Sequence, residues 1–138
     1  MDAFFAYAQT SDTAYGPVTV RVSPRYLPDQ SDPESDQYAW SYHVRIENGG
    51  DYRVQLISRH WIITDGRGHI EEVEGPGVVG EQPELGPGES FDYVSGCPLD
   101  TPSGTMHGSY AFAAEGHVFA VDIPAFSLDS PHAQGAVH

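Results

Sequence analysis

A glycine-rich segment in the middle of the chain has the spacing of a nucleotide-binding turn. Residues 75 to 80 match the pattern G-x-G-x-x-G through Gly75, Gly77 and Gly80. In a dinucleotide-binding fold, these glycines follow a buried strand and begin a helix whose free N–H groups hold the phosphates. Here the preceding "HIEEVE" is polar and acidic, and the prolines of the following "EQPELGPG" oppose a helix. We therefore predict structural turn or bulge glycines that feed an edge strand, with a phosphate-binding nest of backbone amides as the alternative.

Acidic side chains and one histidine are weak candidates for a metal site. Asp29, Asp32 and Asp36 lie in the stretch "PDQSDPESD", and hard cations such as Mg²⁺ prefer carboxylate oxygens. The stretch lacks the glycine and the terminal glutamate of an EF-hand loop, so a solvated connection between strands is the competing interpretation. His60 is the fourth candidate ligand, and a hydrogen-bonded structural histidine is its competing interpretation. Divalent-cation binding therefore stays open, and no cofactor is predicted.

The chain offers little for nucleophilic catalysis. Cys97 is the only cysteine, so no internal disulfide can form, and a reducing compartment is compatible with the sequence. No histidine lies near Cys97 in the sequence to act as a base, and Ser103 sits between a proline and a glycine, which indicates a turn. We predict that the protein is not an enzyme, and nucleotide hydrolysis is the least favoured of three hypotheses.

Composition restricts the partners. The chain has 138 residues, which suits a single domain, and a formal net charge of −14 from 20 acidic and 6 basic residues, all of them arginine. Such a surface repels phosphate backbones and anionic membranes, so we predict neither nucleic-acid nor membrane binding. The acidic start "MDAFFAYAQT" does not resemble a signal peptide, and no apolar run reaches the ~20 residues of a membrane span. We therefore predict a cytoplasmic protein.

The segments around these residues alternate between apolar and polar side chains with a period of two. In "YAWSYHVRIE", residues 38–47, apolar and polar side chains alternate, which predicts a strand with one buried face and Trp40 in the core. In "VQLISRHWII" the apolar parity changes between Leu56 and Trp61, which predicts a β-bulge, or a strand that changes its partner sheet, near residues 57–60. Trp61, like Trp40, is predicted to lie in or near the core. A final hairpin is predicted across Glu115-Gly116.

Several short strands with Gly/Pro-rich turns predict an all-β sandwich of about seven or eight strands. We expect one domain over residues 1–138, with a structured core at about 18–128. The ends, 1–15 and 129–138, show no alternation, so we expect them to be flexible.

Four long segments carry a resemblance to a known family. They are "RYLPDQSDPESDQYAWSYHVRIENGG", "VQLISRHWIITDG", "GPGVVGEQPELGPGESFDYVSGCPLDTPSGTMHGSY" and "FAVDIPAFSL". Together they resemble the ApaG family over roughly Val18 to Leu128. The resemblance implies an immunoglobulin-like, fibronectin type III-like β-sandwich. It also implies an association with cobalt tolerance and magnesium efflux, and a genetic link to a diadenosine tetraphosphate hydrolase. Related domains in F-box proteins and in a DNA polymerase delta-interacting protein imply a protein-interaction module.

The leading hypothesis is therefore a non-enzymatic binding or adaptor module with an unknown protein partner. The alternative is a small-ligand or divalent-cation sensor that uses the glycine-rich and acidic loops. The predicted interaction surface joins the strand after the bulge, the glycine segment and the loop "SGCPLDTPSGT". Its residues are Arg59, His60, Trp61, Val78, Val79, Pro98, Thr101 and Ser103.

Overall fold

The computed structural model describes residues 5–133, which form nine strands and short 3-10 turns. The strands are β1 (Tyr7–Thr13), β2 (Gly16–Tyr26), β3 (Tyr38–Asn48), β4 (Val54–Asp65), β5 (Ile70–Pro76), β6 (Glu84–Leu85), β7 (Ser90–Leu99), β8 (Gly104–Ala114) and β9 (His117–Leu128). Two of the 3-10 turns, Pro28–Gln30 and Pro33–Ser35, lie between β2 and β3. No helix in residues 5–133 is long and apolar enough to cross a bilayer.

The strands form two antiparallel sheets, so the prediction of an all-β sandwich is confirmed. The first sheet has the order β1-β2-β3-β7, and the second has the order β5-β4-β8-β9, with β6 paired to β4. β3 alternates fully between buried and half-buried residues, as its sequence pattern predicts. Trp40 and Trp61 are 1% and 3% exposed, which confirms the prediction that both tryptophans belong to the core.

The change of parity in β4 is a β-bulge. The pairing of β4 with β8 shifts between Leu56 and Ser58, where the sequence predicts it. Before the bulge, Val54 and Leu56 face the core. After it, Trp61 faces the core, and Arg59 shares its parity. The bulge therefore turns an arginine toward the space between the sheets.

Two expectations need correction: that residues 1–15 form a flexible end, and that the structured core begins at about residue 18. Residues 1–15 do not form a flexible end throughout, because β1 occupies Tyr7–Thr13 and pairs along its whole length with β2. Its side chains are mostly polar and exposed, since it is an edge strand, so no alternating pattern marks it. The described fold therefore extends beyond the predicted core of 18–128. At the other end, residues 131–133 form a 3-10 turn, and residues 1–4 and 134–138 lie outside the described part.

The two long sides of the sandwich differ. On one side β1 and β2 pack against β9, and the Asp122 amide donates a hydrogen bond to Ser11 Oγ (3.0 Å) across the sheets. On the other side β5 and β7 end their sheets, and cavities lie between them. We call this the open side, meaning the edges of β5 and β7 and the cavities between them.

Candidate functional site

The glycine segment makes a tight hairpin turn after β5. Val78 and Glu81 exchange two backbone hydrogen bonds, of 2.8 and 2.9 Å, and the two residues between them, Val79 and Gly80, have φ of +44° and +81°. A two-residue turn with both central φ values positive is the type whose twist suits a β-hairpin. Gly77 also has a positive φ, +64°. The predicted structural turn is therefore present.

Arg59 is held by this segment. Its Nη1 donates to the carbonyl oxygens of Pro76 (3.0 Å) and Gly77 (2.9 Å). Arg59 pairs with Gly75 across the ladder, and a Cβ on Gly75 would lie 3.1 Å from Nη2 and 3.2 Å from Cζ. The absence of a side chain on Gly75 thus leaves room for the guanidinium group.

This arrangement is the reverse of a phosphate cradle. A cradle presents free N–H groups to an anion, whereas here two carbonyl oxygens face a cation. The amides of Gly77, Val78 and Glu81 already donate to the carbonyl oxygens of Ile57, Glu81 and Val78. The five glutamates around the glycines add negative charge. The geometry favours the structural role of Gly75, Gly77 and Gly80 over the phosphate-binding alternative.

A cavity of about 250 Å³ opens between β5 and β7. Arg59, Trp61 and Val73 line it from the second sheet, and Tyr42, Ser95 and Cys97 from the first. Its lining thus combines apolar side chains with a few polar ones, among them one arginine and one glutamate. Glu71 and Val73 of β5 belong to this lining, although sequence reasoning did not select them. Their position on a short strand beside the glycines is the signal that could have identified them.

A second cavity, of about 550 Å³, continues the opening toward the start of β5, at Ile70 and Glu71. Four carboxylates contribute to its lining, and they come from four different segments: Asp36, Asp65, Glu71 and Asp100. Burial opposes ionisation of Asp65, but hydrogen bonds from the amides of Arg67 and His69 outweigh it and lower its pKa. Within residues 5–133, no three His, Cys, Asp or Glu side chains converge as metal ligands.

The predicted metal ligands do not form one site. Asp29, Asp32 and Asp36 lie in and beside the two 3-10 turns before β3, whereas His60 lies on β4 in the other sheet. His60 Nε2 contacts Glu72 Oε1 at 2.7 Å, and its Nδ1 lies 3.8 Å from Glu74 Oε2. His60 is therefore a hydrogen-bonded residue beside two glutamates of β5, which agrees with its structural interpretation.

Cys97 has no activating environment. The residue is 4% exposed, and burial, with a smaller contribution from Glu71, raises the pKa of its thiol to about 11. A nucleophilic cysteine needs a lowered pKa and an accessible thiolate. The structural interpretation of Cys97 thus has physical support.

The predicted interaction surface is partly exposed and partly buried. Val79 and Pro98 are exposed, and Arg59, His60 and Ser103 are half-buried. Trp61, Val78 and Thr101 are at most 3% exposed, which corrects their assignment to the surface. Thr101 instead accepts a hydrogen bond from the Gly66 amide and donates one to the Ser103 carbonyl oxygen. These three residues therefore lie beneath the predicted surface rather than on it.

Comparison with known proteins finds relatives of this chain in sequence and in fold. The ApaG domain profile matches residues 28–114. Protein ApaG from Parvibaculum lavamentivorans is 59% identical over 122 residues, which cover 88% of this chain and 94% of that protein. Protein ApaG from Rhodospirillum centenum is 60% identical over 83% of this chain and 89% of that protein. The crystal structure of an ApaA protein from Bordetella pertussis superposes with a TM-score of 0.80 at 56% identity, covering 83% of this chain and 94% of that chain.

The fold defines a class of small β-proteins built from two packed antiparallel sheets. Within that class, the chain belongs to the ApaG family. The predicted resemblance is therefore confirmed. The names of these relatives specify no reaction, ligand or partner.

Proposed function

We propose that the protein is a non-enzymatic interaction module that binds a partner protein at its open side. One observation carries this proposal: the two sheets close against each other along β1 and β9 but leave strand edges and cavities exposed between β5 and β7. Unpaired strand edges are common sites of protein recognition. Any effect on cobalt tolerance or magnesium efflux would then act through the partner.

The chemistry of the open side supports binding more than catalysis. Its thiol has a raised pKa and is buried. The hydroxyl of Tyr42 also has a raised pKa, because burial opposes its ionisation more than Ser95 and Arg59 favour it. Neither group is prepared to act as a nucleophile or a base near neutral pH.

The test is partner capture with matched variants. Val73→Arg places a bulky charge in the 250 Å³ cavity, and Val118→Arg introduces the same change on β9, at a residue that is 71% exposed. We expect proteins captured from native cytosol by the original chain to be lost with Val73→Arg and retained with Val118→Arg. Equal capture by both variants, with both folded by circular dichroism, contradicts the proposal.

A further inference from the structure

The free edge of β5 exposes backbone groups at defined residues. Backbone hydrogen bonds join Gly77 N to the Ile57 carbonyl oxygen (2.8 Å) and Asp65 N to the His69 carbonyl oxygen (2.9 Å), at the two ends of the β4–β5 ladder. Bonded pairs alternate along an antiparallel ladder. In the register Arg59↔Gly75 and Ile63↔Glu71, the odd-numbered residues of β5 therefore bond to β4.

The even-numbered residues of β5 then direct their backbone groups away from β4. Ile70, Glu72 and Glu74 each present an N–H and a carbonyl oxygen to the outside, and no other described strand pairs with this edge. Pro76 is the next even position and has no N–H, so it ends the series. The edge thus offers six hydrogen-bonding groups over five residues of strand.

The side chains of this edge are strongly acidic. Glu72 and Glu74 lie on the outer face of the sheet with His60, and their side chains are 61% and 73% exposed. Glu71 lies on the inner face and lines both cavities. Carboxylates on an edge strand discourage pairing with a second copy, because two such edges would bring like charges together. The favoured occupant is therefore a basic strand from a partner, because no two of the six arginines of this chain lie two residues apart, as alternation along one face of a strand requires.

The inner face adds a requirement for an apolar side chain. A strand added to β5 would place its inward residues beside Val73, at the mouth of the 250 Å³ cavity lined by Trp61, Met106 and Pro98. In recognition by strand addition, main-chain hydrogen bonds supply affinity, and pockets for alternate side chains supply specificity.

We propose that a partner protein adds an extended basic segment to the free edge of β5. Its basic side chains face Glu72 and Glu74 on the outer face, and an intervening apolar side chain enters the cavity beside Val73. This inference rests on the proposed function and specifies both the edge and the chemistry of the partner.

The test uses a short capped peptide in which arginine alternates with valine. Fluorescence anisotropy measures the affinity of this peptide for the full chain. A second peptide has the same composition with its arginines contiguous. We expect the alternating peptide to bind about tenfold more tightly, because only it can place charges and apolar groups on opposite faces of a strand. Equal affinities, or no binding of either peptide, would overturn the proposal.

Two further comparisons separate backbone pairing from general charge attraction. Glu72→Pro removes an outward N–H and a charge, whereas Glu72→Gln removes the charge alone. We expect the proline variant to weaken binding about fivefold more than the glutamine variant. Because proline can disturb the strand, the alternating peptide is also N-methylated on residues of one parity or of the other. Loss of binding with one parity only supports strand addition. Equal effects of both variants, together with equal effects of both parities, would exclude it.

Partner capture with the same variants distinguishes a failure of strand addition at β5 from a failure of the proposed function. A captured partner that is lost with Val73→Arg but retained with Glu72→Pro leaves the interaction module intact and excludes the β5 edge. Capture that is insensitive to Val73→Arg contradicts the interaction module itself, whatever the peptide does.

Discussion

At the scale of single residues, the three glycines of the motif form the surroundings that hold the Arg59 side chain. Gly75 leaves room for the guanidinium group, Gly77 supplies one of the two carbonyl oxygens that accept from Arg59, and Gly80 completes the turn. The letters G-x-G-x-x-G are the same as in a phosphate-binding turn, but the atoms that face inward are oxygens. A motif match is thus informative only together with the direction of its backbone groups.

Substitutions at two of these glycines should differ in cost. Gly77 has a positive φ, and a Cβ there would also collide with the Glu81 carbonyl oxygen; Gly80 has a positive φ with open space around it. We expect Gly80→Ala to lower the free energy of unfolding by about 1 kcal/mol from the left-handed conformation alone, and Gly77→Ala to lower it by more. Urea denaturation of both variants measures the difference.

Gly68→Ala is the matched control, because Gly68 has a φ of +88° and a Cβ there would meet no atom within 4 Å. It should resemble Gly80→Ala. Equal stabilities of the Gly77 and Gly80 variants would contradict the steric argument. Calorimetry with ATP and NAD should show no binding, and tight binding lost in stable glycine variants would restore the phosphate-site interpretation.

The second residue-scale prediction concerns the reactivity of Cys97. Burial raises the pKa of its thiol to about 11, so at pH 8 roughly a thousandth of the folded protein carries a thiolate. We expect iodoacetamide to modify the folded chain far more slowly than the chain in urea. Mass spectrometry after timed quenching measures both rates. Rapid modification of the folded protein would show that the thiol is accessible and activated.

At the scale of elements, a buried asparagine joins three segments. Asn48 is 1% exposed. Its Nδ2 donates to the carbonyl oxygens of Tyr52 (2.7 Å) and Leu85 (3.0 Å), and its Oδ1 accepts from the Gly50 amide (3.0 Å). The side chain therefore holds the β3–β4 turn and the short strand β6 in place.

Asn48→Ala should destabilise the protein by about 2–4 kcal/mol, because three backbone groups lose their partner inside the fold. Asn48→Asp is the control of similar shape. It keeps an acceptor for Gly50 but places a carboxylate oxygen near two carbonyl oxygens, so at neutral pH it should cost at least as much. Urea midpoints and m-values give the free energy of unfolding of both variants. A decrease of less than about 0.5 kcal/mol for either variant contradicts the stabilising role of the Asn48 hydrogen bonds.

The sequence predicts those elements whose faces differ in polarity. The alternation in β3 and the change of parity before Trp61 identify a strand and a bulge, since each has one buried face. The sequence pattern does not identify β1, because none of its side chains is buried, and it does not identify β6, because that strand has only two residues. The pairing of Arg59 with Gly75 depends on the register that the bulge and the turn set together, and no local pattern encodes that register. The open side is therefore visible only in the folded chain.

At the scale of the whole molecule, the net charge of −14 opposes compaction through repulsion among the carboxylates. Salt screens such repulsion over a Debye length of about 30 Å at 0.01 M and about 8 Å at 0.15 M. We therefore expect the thermal midpoint to rise between these two salt concentrations. Differential scanning calorimetry measures the change in thermal midpoint. An uncharged solute at the same osmolality as the added salt is the control. A midpoint that falls would show that attractive ion pairs dominate the electrostatics of the fold.

The same charge argues against binding to duplex DNA. Non-specific binding depends on cations that replace counterions on the phosphates, and four of the six arginines already lie within 4.0 Å of a carboxylate: Arg21, Arg45, Arg53 and Arg67. Arg59 is held by two carbonyl oxygens. We expect no shift of duplex DNA by the pure protein at micromolar concentration and physiological salt. Repeating the gel shift at low salt provides the control, because a genuine phosphate contact strengthens as salt is removed. Micromolar binding that weakens with added salt would mean that the arginines exchange their carboxylate partners for phosphates.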